Sequence, residues 1–180
     1  MNRKNQTVNL VMTGLCIAIG IVLPMAFHSV PNAGSVILPM HIPVLLCGLI
    51  CGPIYGLASG ILTPALSSLL TQMPPMAYLP SMLCELAIYG LVAGLAIRLI
   101  RTKSNVANVY LSLVAAMLCG RVIYGVVNAL IFQAGRYSME LWLTASFVTA
   151  LPGIIIQLVA IPVLVLLLQK AGLIRSVQNA

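Results

Sequence analysis

Two charged side chains, Glu85 and Arg121, lie deep within long apolar stretches of this sequence. A charge inside a lipid bilayer costs several kcal/mol unless it is paired or faces a wet cavity, so both residues are candidates for a functional site. Counted from the outer ends of their predicted helices they lie about two and three turns down, close enough in depth to meet. They would form either a buried ion pair that fixes helix register, or a pocket in which Arg121 binds an anionic group such as a carboxylate.

Further polar groups accompany Arg121 on its predicted helix. Gly125 and Asn128 share its face and Tyr124 lies beside it, which would offer room for a ligand, an amide and a hydroxyl. Asn32, in an external loop, and His41 lie near the predicted outer surface. The candidate substrate-binding residues are therefore Arg121, Asn128, Tyr124, Glu85, Asn32 and His41.

Neither histidine predicts a metal site. His28 and His41 have no carboxylate near them in the sequence, so capping or loop hydrogen bonding is the favoured role for both. Trp142 is expected at the outer membrane interface, where tryptophan commonly anchors a span, rather than in contact with a ligand.

The composition identifies an integral membrane protein. Of 180 residues, 61% are apolar and only 6% are charged, and the apolar residues form runs of about 20, the length that spans a bilayer. The net charge of +7 does not indicate nucleic-acid binding, because the basic residues cluster between apolar runs instead of on one face. The positive-inside rule places them in the cytoplasm, which requires six helices with both termini inside; they are Arg3, Lys4, Arg98, Arg101, Lys103, Lys170 and Arg175.

The fold predicted is thus an all-α membrane protein with six transmembrane helices in a single integral membrane domain. The helices are expected at about 8–27, 40–51, 54–70, 77–100, 106–132 and 141–169. The strong stop signal Gly52-Pro53 divides the second from the third, and Pro152 and Pro162 are expected to kink the sixth. Residues 28–38 are expected to form an external loop.

Small residues recur at four-residue spacing in two places. Gly48, Gly52, Gly56 and Gly60 would let helix backbones approach closely at the centre of the protein. Gly14 and Ala18 form a similar pair on the first helix, which either packs against another helix of the chain or provides a docking face for a partner subunit.

Enzyme chemistry has little support. The sequence contains no zinc-protease motif, no nucleophile elbow and no phosphate-binding loop, and the spacing of Ser67, Ser68 and His41 does not indicate a catalytic dyad. The five cysteines lie in apolar segments without a second metal-ligand pair, and we expect them to be small core residues.

The whole architecture resembles the substrate-binding S components of energy-coupling factor (ECF) vitamin transporters. Within it, the run HIPVLLCGLICGPIYGLASGILTPALSSLLTQMPP followed by ELAIYGLVAGL is similar to the pantothenate-type branch. The resemblance implies a protein of the bacterial cell membrane that binds a water-soluble vitamin near its outer face. It also implies a transmembrane coupling subunit and two cytoplasmic ATPases as partners, with no cofactor in this chain because the ATPases use the ATP.

Two further expectations come from the resemblance. Gly14 and Ala18 correspond to the family's A-xxx-A motif, which contacts the coupling subunit, and the first external loop would gate the site. A carboxylate vitamin such as pantothenate would pair with Arg121, while Asn128, Tyr124 and Glu85 hydrogen-bond to its amide and hydroxyl groups. The alternatives are another vitamin or precursor on the same scaffold (cobalamin, niacin, folate or a queuosine precursor), an intramembrane hydrolase, or a membrane subunit without a ligand.

Overall fold

The computed structural model describes residues 3–27, 33–135 and 137–172. Within these residues all regular structure is helical. The α-helices are α1 (Arg3–Ala26), α2 (Ala33–Ile37), α3 (His41–Cys51), α4 (Pro53–Thr71), α5 (Leu79–Leu99), α6 (Asn105–Val127), α7 (Met139–Leu143) and α8 (Leu151–Lys170). Two π-helical turns complete the fold: Asn128–Phe132 follows α6, and Thr144–Thr149 lies between α7 and α8.

Six helical segments of the described chain are long and apolar enough to cross a membrane. They are Gln6–Ala26, Gly34–Cys51, Pro53–Thr71, Leu79–Leu99, Asn105–Phe132 and Leu151–Lys170. The predicted all-helical membrane fold with six spans is therefore confirmed. Because the number of spans is even, the start of the first span and the end of the last span lie on the same side of the membrane.

The second span is longer than the sequence predicted. The short α2 precedes α3, and together they give the 18-residue span Gly34–Cys51, so the expected loop 28–38 is helical in its second half; residues 28–32 lie outside the described chain. The predicted turn follows α3. Gly52 has φ +98°, a conformation that favours glycine, and Pro53 begins α4, where a missing N–H costs nothing.

The glycines spaced at four residues, Gly48, Gly52, Gly56 and Gly60, pack closely against α5. A Cβ at Gly56 would overlap the carbonyl of Gly90 on α5, a Cβ at Gly90 would overlap the backbone of Gly56, and Gly48 also faces Gly90. Such contact between backbones requires residues without side chains. The crossing fixes α5, and with it Glu85, against α3 and α4.

The sixth predicted helix is divided. Residues 141–169 were expected to form one helix kinked at Pro152, but α7, a π-helical turn and α8 occupy this part of the chain. Pro152 does not kink α8; it lies in its first turn, the position where proline is best tolerated. Pro162 lies inside α8 as predicted.

The cysteines differ in environment. Cys16, Cys47 and Cys51 are buried together where α1 packs against α3, in agreement with the predicted core role. Cys84 is half-buried. Cys119 is exposed on α6, so the prediction of a core role is wrong for this residue.

Candidate functional site

A cavity of about 540 Å³ lies among the ends of α1, α2, α3, α5 and α6. Most of its wall is made of apolar side chains, and the polar residues that line it are few. Those polar residues are Ser35, His41, Tyr78, Ser81, Glu85, Arg121 and Tyr124. A mostly apolar cavity with a few convergent polar groups is the usual form of a small-molecule site.

Three ionisable side chains from three helices meet at this cavity. Arg121 Nη1 lies 3.1 Å from Glu85 Oε1, and His41 Nε2 lies 3.7 Å from the same oxygen. All three are buried, with exposed fractions of 6% for Arg121, 4% for Glu85 and 2% for His41. Of the two arrangements left open by the sequence, the structure contains the ion pair, and the pair lines a cavity.

The cluster keeps unused hydrogen-bonding capacity. Among the described residues, Arg121 Nε and Nη2 and both ring nitrogens of His41 have no hydrogen-bond partner. The buried Tyr89 hydroxyl is also without one, and its ring packs edge-on against His41 with centroids 5.2 Å apart. Buried polar groups of this kind are costly unless something binds to them. The arrangement can therefore accept a ligand with hydrogen-bond acceptors, and Arg121 offers two adjacent N–H donors in the geometry that a carboxylate fits.

His41, one of the candidate binding residues, lines the cavity and does not have the capping role favoured for it. It is the first residue of α3, and its backbone N–H donates to the carbonyl of Leu38. Its side chain does not cap the helix; it faces Glu85 and Tyr89. No local pattern predicts this contact, because Glu85 is 44 positions away along the chain.

Trp142 holds the backbone that carries Arg121. Its indole Nε1 donates a 3.0 Å hydrogen bond to the carbonyl of Arg121, and a Cβ at Gly125 would run into the indole. The room that Gly125 provides is thus filled by Trp142 and not by a ligand. Trp142 also packs edge-on against Phe147, which lines a smaller apolar cavity of about 140 Å³ that reaches Arg121. Trp142 therefore has a specific packing role, and its place at the outer membrane interface stays a prediction.

The remaining predicted residues are divided between the cavity and other places. Tyr124 lines the cavity. Asn128 is buried, but its side chain donates to the carbonyl of Tyr124 and accepts from Gln133, and it is not among the residues that line the cavity. Its amide holds the transition from α6 into the π-helical turn. Asn32 and His28 lie outside the described residues.

Tyr137 is a polar residue that the sequence analysis did not select. Its hydroxyl is buried and has no hydrogen-bond partner within the described chain. Burial raises the pKa of Tyr137 above its ordinary value, and the negative charge of Glu85 adds to this rise. The Tyr137 hydroxyl therefore lies within the electrostatic reach of Glu85, which no pattern in the sequence predicts.

Gly14 and Ala18 face away from the rest of the chain. Both are exposed, and a Cβ at Gly14 would meet nothing within 4 Å. A second pair of small residues on α1, Cys16 and Gly20, points inward: Cys16 is buried, and a Cβ at Gly20 would meet Thr63 and Pro43. The first of the two expectations for Gly14 and Ala18, packing within the chain, is thus not what the structure contains.

Within the described chain, no group of three or more His, Cys, Asp or Glu side chains is placed to hold a metal ion.

The family model described as "ECF transporter, substrate-specific component" matches residues 8–165 of this chain. No curated protein and no solved structure is significantly similar to this chain. The match extends from the first span into the last and includes every residue placed at the cavity.

Proposed function

We infer that this chain, which belongs to the substrate-specific component family of ECF transporters, binds a vitamin carrying a carboxylate, with pantothenate as the first candidate. The family is one of transporter subunits that bind substrate, not one of enzymes. The chain is accordingly a multi-pass membrane protein with a transport role, and its family implies association with an ECF module. We place it in the bacterial plasma membrane, with a transmembrane coupling subunit and two cytoplasmic ATPases.

One observation carries the choice of a carboxylate. Arg121 is the only Lys or Arg that lines the described cavity, and two of its nitrogens, Nε and Nη2, remain buried without a partner although Glu85 pairs with the third. A ligand carboxylate would satisfy both groups at once. The apolar wall, which includes Met40 and Met82, suits an aliphatic body such as that of pantothenate.

The polar residues near Arg121 would serve the rest of the ligand. Tyr124 and Ser81 line the same cavity, and Glu85 has lone pairs available for an amide or hydroxyl proton. Asn128 has no part in this assignment, because its amide is used within α6. Asn32 stays a candidate only because the sequence predicts it in the first external loop.

Gly14 and Ala18 are the proposed contact with the coupling subunit. Their face of α1 is uncovered in the isolated chain, and small residues allow another helix to approach closely. The same exposure is what lipid contact would require, so the assignment depends on the family motif together with the free space.

The proposal is tested by titrating pantothenate into the purified full chain and its Arg121 variants. Arg121→Ala should weaken binding by roughly 100-fold, since two charge-assisted hydrogen bonds are lost. That change also leaves Glu85 buried without its cation, so Arg121→Lys is the second variant: it keeps the charge and removes the paired donors. Arg101→Ala, in the exposed loop after α5, is the matched control and should bind as the wild type does. Wild-type affinity in Arg121→Ala would refute the assignment.

A further inference from the structure

The Glu85 carboxylate lies between two basic side chains, and its Oε1 is shared between Arg121 and His41. No other Asp, Glu, Lys or Arg among the described residues lines the cavity. The remaining titratable groups around the cluster are tyrosines: Tyr89 on α5 packs edge-on against His41, Tyr78 and Tyr124 line the cavity, and Tyr137 lies within the electrostatic reach of Glu85. The charge state of the site is therefore decided by three side chains.

Charge balance limits how an anionic ligand can bind here. In the empty site the charges of Arg121 and Glu85 cancel, and a neutral His41 adds nothing. A carboxylate that binds to Arg121 would leave one net negative charge in a cluster that is more than nine-tenths buried. Such a charge is costly at this depth in a membrane unless a partner neutralises it.

We propose that the site binds its carboxylate ligand together with one proton, and that His41 holds this proton. The inference rests on the proposed function, because it requires an anionic ligand at Arg121. The proton comes from the aqueous solution and forms an N–H bond on the unprotonated ring nitrogen of His41; no other bond changes. Arg121 then pairs with the ligand and Glu85 with the imidazolium, which gives two ion pairs and no net charge.

The geometry already favours this exchange of partners. His41 Nε2 is 3.7 Å from Glu85 Oε1, too far for a hydrogen bond but within reach of one after a small shift. Both ring nitrogens of His41 are without hydrogen-bond partners in the described chain, so no existing hydrogen bond has to break when the proton binds. Since a proton is taken up, binding strengthens as the pH falls. Where His41 of the empty site is neutral, affinity changes by about tenfold per pH unit.

Calorimetry in buffers of different ionisation enthalpy counts the protons directly. Sodium pantothenate is titrated into the full chain in detergent, in phosphate and in Tris at one pH, and sodium nicotinate and sodium biotin are titrated in the same way. The wild type should take up about one proton per ligand. His41→Gln should take up none. Glu85→Gln should still bind the ligand but take up no proton, because the ligand carboxylate then neutralises Arg121 in place of the Glu85 carboxylate.

The outcomes separate the two claims. If a carboxylate binds with equal heat in both buffers and its affinity does not change with pH, the proton-linked site is refuted and the carboxylate-binding function stands. Proton uptake that persists in His41→Gln refutes the assignment to this residue. If none of the three carboxylates binds, the proposed function fails and the proton-linked site fails with it. Should a variant not fold, the wild-type comparison between buffers decides alone.

Discussion

Trp142 is the residue on which the position of Arg121 depends. Its indole N–H donates to the Arg121 carbonyl and its ring occupies the space left by Gly125. Trp142 does not line the cavity, so it acts on the ligand through the backbone of α6. A long guanidinium side chain buried beside its counter-ion gains precision from a fixed backbone, since small displacements of an ion pair cost much of its energy.

Trp142→Phe keeps the ring and removes the donor. We expect pantothenate binding to weaken by about tenfold, the equivalent of one neutral hydrogen bond. Gly125→Ala should have a similar or larger effect, because the new methyl group displaces the indole. Titration calorimetry measures both changes, and thermal unfolding distinguishes positioning from loss of the fold. Unchanged affinity in both variants would show that Arg121 is held by other contacts.

At this scale the sequence predicted the charges and part of their surroundings, because His41 and Tyr124 also line the cavity. Glu85 and Arg121 were found because a charge inside an apolar span is costly, which is a local property of the sequence. The capping role favoured for His41 is wrong, and the hydrogen bond from Trp142 to Arg121 has no signal in the sequence, because both side chains contact distant parts of the chain. Asn128 shares a helix face with Arg121 but uses its amide within its own helix, which a face pattern does not reveal.

The crossing of α4 and α5 is the element that carries Glu85 to the cavity. It depends on Gly56 and Gly90, whose backbones are in contact, and a side chain on either would push the helices apart. Glu85 lies a little more than one turn before Gly90, so a shift of α5 would move it relative to Arg121 and His41.

Gly56→Ala should therefore lower the stability of the protein by about 1–3 kcal/mol, the usual cost of overfilling a packed site. Gly14→Ala is the matched control: the same methyl group is added where nothing lies within 4 Å, and no loss of stability is expected. Thermal unfolding in detergent measures both. Equal unfolding temperatures for Gly56→Ala and wild type would contradict the tight crossing.

Four-residue glycine spacing was sufficient to predict a close crossing, and Gly52-Pro53 was sufficient to predict the turn between two spans. The segment between α6 and α8 was harder to predict. The π-helical turns Asn128–Phe132 and Thr144–Thr149 have apolar sequences that are equally compatible with a continuous α-helix. Hydropathy therefore predicts a single sixth helix, whereas the structure contains α7, a π-helical turn and α8.

At the scale of the whole molecule, the ligand site and the proposed docking face lie on different parts of the fold. The cavity lies among helix ends around α3, α5 and α6, whereas Gly14 and Ala18 lie on the outward face of α1. The two can therefore be altered separately.

Gly14→Leu combined with Ala18→Leu should abolish copurification with the coupling subunit and leave pantothenate affinity unchanged. The larger side chains would prevent close helix contact, while the isolated chain has space for them at Gly14. Cys119→Leu is the control, because it makes a similar small-to-large change on the exposed face of α6. If the double variant still copurifies as the control does, α1 is not the docking face.

The central claim is that the cavity beside Arg121 binds a carboxylate vitamin, and the titration of pantothenate into the wild-type chain tests it most directly. The account predicts one molecule per chain, with binding that Arg121→Lys weakens and Arg101→Ala does not. A wild-type protein that binds no pantothenate would remove that vitamin from the account. Equal affinity in the wild type and Arg121→Lys would contradict the role given to the paired donors of Arg121.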